Sequence, residues 1–381
     1  MQTTKKTPSN SKLTHPIDIL KRKDVHIALT EMRTGKDWNK EFQELESMEF
    51  VNQKYDFLSQ LAQDFVQTAT AYAKIIISEL CMHDAQKTIK PASVGGIAGG
   101  TKYLVQGILF KVAMDVQVAK GVWMYGGDTP RDDFAMKAAN KEMTGLSACW
   151  QQHIPGLHFP LMAVIDYKGF RVVAVSLLPV GKGSLRYGSN DGGRVVHADD
   201  TTLNQSMKQL MEANFLKGHF VGSNPNNRKF IYGPGDIEGH IGSDGRYYVL
   251  DFGRLMPPEA PNPDPNVRKT EPRSVFYKLF RNEFLVRSFR KPLCSDAFTG
   301  WDASDPPEAE KNRQEIRDAT QYLFSSLLPE FASFFEIKAR KTLNQFLTFS
   351  SIRSYIQRRE SHPSSSPNLF SQTTFDPQTT S

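Results

Sequence analysis

Apolar positions between Trp38 and Met82 recur mostly at steps of three and four: Phe42, Leu45, Met48 and Phe50, then Phe57, Leu58, Leu61, Phe65 and Ala69. That period puts them on one side of a helix and predicts a helical region closed by Pro91. The pattern then changes. Apolar residues from Tyr103 to Met114 read as strand, with Gly107 as a bulge or bend. Two further apolar runs, Leu161 to Asp166 and Phe170 to Leu178, are joined by Tyr167-Lys168-Gly169 and predict a hairpin. Helical spacing covers Arg131 to Trp150, opened by Thr129-Pro130, and returns from Thr201 to Asn214. A second hairpin is predicted where the turn Ser243-Asp244-Gly245 leads into Tyr247-Tyr248-Val249-Leu250. A proline-rich loop follows from Met256 to Pro272, then helices from Arg273 to Phe289 and Pro306 to Phe335.

Strands concentrate in the first half, Gly181-Lys182-Gly183 reads as a hinge, and the second half is mixed and mostly helical. This order predicts an α+β, bilobal body. Its parts are an N-terminal helical segment (37–90), a sheet-rich lobe (91–180), a mixed, mainly helical lobe (181–335) and a basic helix (336–360). The polar stretch 1–36 and the Ser/Pro/Thr-rich stretch 361–381 have the composition of disordered tails. No sequence repeat is visible.

With 381 residues the chain can bury a substantial core. The net charge of +6 permits a phosphate, RNA or anionic-membrane partner without requiring one. Basic residues gather in Lys338, Arg340, Lys341, Arg353, Arg358 and Arg359, a solvated helix face or an RNA contact. Cys81, Cys149 and Cys294 have no metal or disulfide spacing, which points to a reducing, cytoplasmic setting. No apolar run reaches bilayer length, and the first residues lack the apolar core of a secretory signal.

The candidate chemistry centres on residues 235–254. Asp236 lies at a turn, Glu238 and His240 on the first strand of the hairpin, and Asp251 at the end of the second. Kinase-like folds bring two acids to a nucleotide's metal ions in this way, which suggests a kinase-like or inositol-phosphate-kinase-like core. Asp251 is the candidate Mg²⁺ ligand, with Glu238 able to join it. Asp236 is the candidate base or acceptor-orienting acid. Mg²⁺ takes hard oxygen ligands, so one or two carboxylates plus nucleotide phosphates suffice. His240 sits where a kinase prefers Asn, and imidazole is a poor Mg²⁺ ligand. Lys111, a charge within the run Leu109-Phe110-Lys111-Val112-Ala113, could hold the phosphates with Glu142 as its helix partner; Lys102 is the alternative. Gly95, Gly96, Gly99 and Gly100 offer backbone amides to phosphate, although the order is not that of a Walker A loop. The tight sequence Tyr187-Gly188-Ser189-Asn190-Asp191-Gly192-Gly193-Arg194 reads as a structural turn, with a substrate role for Arg194 as the other possibility.

Several of these segments also carry a family resemblance. Lys36-Asp37-Trp38-Asn39-Lys40-Glu41-Phe42-Gln43, Tyr187-Gly188-Ser189, Asp191-Gly192-Gly193-Arg194, Gly242 to Tyr248 and Pro257-Pro258-Glu259 resemble the CLU domain of the clustered-mitochondria family, from about Asp37 to about Phe335. The large members of that family carry C-terminal helical repeats, a signature this sequence lacks. The resemblance implies a cytoplasmic protein associated with RNA or the translation machinery and linked to mitochondrial distribution. Two functions stand side by side: a nucleotide-binding, Mg²⁺-dependent phosphotransferase using ATP or another nucleotide, and a non-enzymatic RNA- or protein-binding module.

Overall fold

The structure is a computed structural model that describes residues 35–348 except 50–51, 93, 95–99 and 224–226. The expected terminal tails and Arg353, Arg358 and Arg359 lie outside the described residues. Residues up to Thr320 form one compact unit, and those from Gln321 onward form another.

The first unit opens with α1 (Trp38–Ser47) and α2 (Asn52–Ser78), which make up the helical region predicted from Trp38 to Met82. Asp37 caps α1 by accepting from the Lys40 amide at 3.0 Å, which satisfies one of the unpaired donors of its first turn. The strand predicted from Tyr103 to Met114 is itself a hairpin, β1 (Lys102–Val105) and β2 (Ile108–Val112). Gln106 and Gly107 turn it with φ of 55° and 66°, the paired positive values that match the twist of a two-residue loop. Two short strands, β3 (Gln117–Ala119) and β4 (Val122–Trp123), precede α3 (Asp132–Trp150). After β5 (Leu157–His158) comes the predicted hairpin, β6 (Met162–Tyr167) and β7 (Phe170–Ser176).

These strands assemble as an antiparallel sheet in the order β1-β2-β7-β6. One face carries Tyr103, Ile108, Phe110, Val112, Ala163, Ile165, Val172 and Ala174, packed against Trp38 and Phe42 of α1 and Leu61, Phe65 and Ile76 of α2. A large apolar side chain contributes about 1.5–3 kcal/mol when fully buried. Because successive strand residues point to opposite faces, Lys111 projects from the other face, between the inward Phe110 and Val112.

The second half contains β8 (Leu185–Gly188), β9 (His197–Ala198), α4 (Thr201–Ala213), β10 (Gly218–Val221), β11 (Lys229–Tyr232), β12 (Glu238–Ile241) and β13 (Tyr247–Leu250). Its main sheet runs β5-β13-β12-β8-β9, parallel at β5–β13 and antiparallel elsewhere, and β10 pairs with β11 in a separate two-stranded sheet. Asp200 caps α4 through the Leu203 amide at 2.8 Å. The β12–β13 turn is closed by Gly242 N donating to the Arg246 carbonyl, and Tyr248 donates to the Asp244 carboxylate at 2.7 Å.

The prediction of a helix from Arg273 to Phe289 is overturned. After α5 (Pro265–Thr270), that stretch holds a 3₁₀ turn at Ser274–Phe276 and a π turn at Phe284–Phe289. Arg273 has φ 48°, which breaks helical propagation at the start, and Leu279 bridges instead to Pro258. The helix predicted over Pro306 to Phe335 is α6 (Pro306–Tyr322), then a π turn at Leu323–Leu327 and α7 (Leu328–Thr348). Among the described residues no helix is long and apolar enough to cross a membrane.

Candidate functional site

Lys111 Nζ lies 3.0 Å from Asp251 Oδ1. The lysine side chain is 21% exposed and the aspartate 40%, so the pair lies at the edge of the interior with one acid open to solvent. Strand β13 ends at Leu250, and Asp251 takes φ 59°, a left-handed conformation that costs an L-residue about 1–3 kcal/mol. That bend presents the carboxylate to Lys111 while Phe252 enters the core. Burial alone would raise Asp251, but the charge and hydrogen bond of Lys111 outweigh it and hold the carboxyl below its usual range. Burial likewise works against the Lys111 ammonium, and Asp251 and Glu142 more than compensate, raising its pKa.

Glu142 is reached from α3, but its hydrogen bond does not go to Lys111 as the sequence suggested. Glu142 Oε2 accepts from the Phe252 amide at 2.9 Å. The helix can approach this closely because Gly145 faces the same backbone: a Cβ there would stand 2.5 Å from the Phe252 carbonyl oxygen. Burial pushes Glu142 up to about 7, against the opposing charge of Lys111. Glu142 thus fixes the chain immediately after Asp251 and adds negative charge beside the lysine.

Glu238 closes the group on the β12 side. His240 Nε2 lies 2.9 Å from Glu238 Oε2, and its Nδ1 lies 2.9 Å from Ser184 Oγ. Burial raises Glu238 in spite of His240, and the neighbouring Asp251 charge adds to the rise. His240 holds Glu238 in place.

Asp236 belongs to an adjoining network. Its Oδ2 accepts from Arg254 Nε at 2.6 Å, and Arg254 Nη1 donates to Asp296 Oδ1 at 3.0 Å. Asp296, with no side-chain exposure, also accepts from the Gly235 amide at 2.7 Å and Thr299 Oγ1 at 3.0 Å, and lies 3.0 Å from His219 Nε2. Burial opposes this charge, yet Arg254, His219 and the Gly235 amide bring Asp296 down to about 2. Burial outweighs Arg254 at Asp236 and raises its pKa. Asp236 Oδ1 is buried with no hydrogen-bond partner among the described residues.

The glycine motifs shape this second network. Gly188 has φ 83°, and a Cβ on it would lie 1.7 Å from the Ile237 carbonyl oxygen, so β8 presses directly on the turn that carries Asp236. Ser189 Oγ donates to Asp191 and accepts from the Gly193 amide, while Arg194 is exposed. These bonds fold the Tyr187–Arg194 segment as a tight turn. Gly100 packs against β2, where a Cβ would stand 2.3 Å from the Val112 carbonyl oxygen. Gly95, Gly96 and Gly99 lie outside the described residues. A separate cavity of about 280 Å³, lined by Phe42, Gln43, Trp150, His153 and His158 among others, includes no residue of the acid–lysine cluster.

Sequence reasoning missed Arg254, Asp296 and His219. Arg254 could have been found from its place after Asp251-Phe252-Gly253, since kinases use an Asp-Phe-Gly tripeptide to hold Mg²⁺. Asp296 had no local signal: it is 42 residues from the arginine it pairs with.

The chain belongs to the clustered-mitochondria (CLU) family, whose model matches residues 37–261. It is 28% identical over 264 residues to a clustered mitochondria protein homolog of Phaeosphaeria nodorum, covering 66% of this chain and 20% of the relative. A homolog from Neurospora crassa is 28% identical over 234 residues, covering 58% and 17%. The chain thus spans about a fifth of the length of these relatives. Among solved structures, the Rio2 kinase-ADP/Mg²⁺-phosphoaspartate complex from Chaetomium thermophilum aligns over 83% of this chain and 98% of its own, at 13% identity. Its TM-score of 0.24 is too low to carry a fold argument.

Proposed function

We propose that the Lys111–Asp251 cluster binds the phosphates of a nucleotide together with Mg²⁺, and that phosphoryl transfer is the chemistry the arrangement suits. The observation that carries this reading is the convergence of a strand lysine, a helix glutamate and a left-handed, strand-end aspartate: Lys111 at 3.0 Å from Asp251, and Glu142 on the Phe252 amide. Phosphoryl transfer needs positioning and charge neutralisation more than covalent help from the protein, and this set supplies both.

The donor set fits Mg²⁺ held jointly with phosphate. Asp251 and Glu238 would hold the ion through hard oxygens, and among the described residues no group of three or more His, Cys, Asp or Glu could cage a metal alone. The ion would neutralise charge on the phosphates. Lys111 binds phosphate oxygen, Glu142 and His240 position Asp251 and Glu238, and Asp236 orients an acceptor hydroxyl. The test is calorimetric titration with ATP, with and without Mg²⁺. Magnesium-dependent binding supports the reading; equal binding, or none, counts against it.

One observation favours a second reading, an RNA-binding module. Helix α7 exposes Phe331, Phe334, Phe335 and Leu343 alongside Lys338 and Lys341. Aromatic side chains stack on bases and lysines neutralise phosphate, so such binding would weaken steeply with salt. Salt-insensitive or absent RNA binding removes it.

A further inference from the structure

The cavity of about 280 Å³ beside β5 lies apart from the acid–lysine cluster, and its lining has a chemistry of its own. Glu46 and Ser47 reach it from the end of α1, Gln43 from one turn earlier, Trp150 from the end of α3 and His158 from β5. Apart from two histidines, Glu46 is the only ionisable side chain among the lining residues. Its carboxylate has no ion pair among the described residues: Lys54 donates instead to the Glu46 and Met48 carbonyls, at 2.6 and 3.2 Å. Gln43 is 3% exposed and spends its amide donors on Asn39 Oδ1 at 3.1 Å and the Phe159 carbonyl at 2.9 Å, which leaves its oxygen to accept. His158 Nδ1 lies 3.2 Å from the Tyr247 carbonyl, which can only accept, so that nitrogen carries the proton. Burial lowers the His158 pKa, and the neutral ring keeps Nε2 as an acceptor. At the rim, Trp150 is 41% exposed and tilted at 52° to the His153 ring, 6.0 Å away. His153 is held there at φ 50°, a strained conformation for an L-residue.

We propose that this cavity is an anchor site for the arginine side chain of a partner peptide, with the guanidinium over Trp150 and its N–H groups on Glu46, Gln43 and His158. The lining accepts hydrogen bonds and carries negative charge, with no lysine or arginine among its residues to oppose a cation. A guanidinium offers five donors in one plane, stacks on an aromatic face and sheds water more readily than an ammonium. It therefore suits an indole ringed by acceptors better than lysine does. The size points to a side chain rather than a whole ligand, since 280 Å³ falls below the range of about 300–1,000 Å³ typical of small-molecule sites. Pockets that capture one arginine are a common source of binding energy at protein interfaces. The aliphatic stem would lie against the apolar part of the lining, Phe42, Ile154 and Leu157. A purely structural set, with Gln43 only tying α1 to the chain after β5, would be blind to a guanidinium.

The test titrates the full chain by calorimetry with the peptide acetyl-Gly-Gly-Arg-Gly-Gly-amide, its lysine and norleucine counterparts, and agmatine, a free guanidinium. The same titrations are run on Glu46→Gln and Trp150→Leu, with folding checked by circular dichroism. The arginine peptide is expected to bind saturably, the lysine peptide more weakly and the norleucine peptide not at all. Glu46→Gln, which keeps the shape and removes the charge, should weaken the arginine peptide about tenfold or more. Trp150→Leu should weaken it about threefold or more through the lost cation–π contact. The two side chains lie on separate helices and neither is fully buried, so one variant stays informative if the other does not fold. Equal binding of the arginine and norleucine peptides, or no binding by the wild type at millimolar peptide, overturns the proposal. So does unchanged affinity in either folded variant. Agmatine binding as tightly as the peptide would make the site one for a free guanidino compound and removes the peptide partner. None of these outcomes bears on the nucleotide reading, whose residues lie outside the cavity.

Discussion

Gly188 and Ile237 touch backbone to backbone: the β8 glycine leaves no room for even a methyl group against the carbonyl oxygen one residue beyond Asp236. A family-motif glycine and a candidate site acid are therefore mechanically linked, although they lie on separate segments. Gly188→Ala must both strain a left-handed position and displace that carbonyl. We expect a loss of about 3 kcal/mol or more. Urea unfolding measures it; a midpoint unchanged from the wild type would show that the two segments do not press on each other.

Asp296 is the anchor of the Asp236 network, and its removal should be costly. Asp296→Asn keeps the size but strips the charge that Arg254 and His219 face, leaving a buried guanidinium without one of its two acids. Breaking a buried pair from one side costs about 3–5 kcal/mol. The native carboxyl near 2 lies below its ordinary 3.8, so this stabilisation is present above about 3.8 and is lost as pH falls toward 2. Acid unfolding of the wild type should therefore have a limb in that window, absent in the variant. Coincident acid limbs would contradict the assignment.

Glu142 acts in the opposite sense. Its folded value of about 7 lies above the ordinary 4.5, so its contribution is fully present below about 4.5 and is lost as pH rises through about 7. Glu142→Gln retains an acceptor for the Phe252 amide without the buried charge. The melting temperature of the variant should gain on the wild type as pH rises from about 4.5 to about 7. Parallel curves for the two proteins would show that Glu142 is ionised in both states throughout that range.

How far each feature was legible in the sequence depends on how local its signal is. The β6–β7 and β12–β13 hairpins and helices α3 and α4 were readable because their periodicity and turn residues lie within a few positions of one another. The Arg273–Phe289 stretch misled because its apolar residues have helical spacing while Arg273 is held left-handed and Leu279 is drawn into a bridge with Pro258. Single strands such as β5, β8 and β9 were invisible, since two to four residues carry no period and depend on neighbours for pairing. At the site, the residue types were readable but their pairing was not. Lys111 was matched to Glu142 by analogy, whereas the bend at Asp251 gives the lysine to the aspartate and the glutamate to the backbone.

If Asp251, held against Lys111, takes part in binding a nucleotide with Mg²⁺, its charge must matter to that binding. A thermal-shift titration of the wild type and Asp251→Asn with ATP, in the presence and absence of Mg²⁺, addresses this without intermediate steps. A ligand that binds only the folded state raises its melting temperature by mass action, by about 2.7 kcal/mol of stability at a hundredfold excess over Kd. The expected result is a magnesium-dependent rise in the wild type that disappears in a folded Asp251→Asn. An equal rise in the two proteins, or none in the wild type at millimolar ATP, would rule out this role for Asp251.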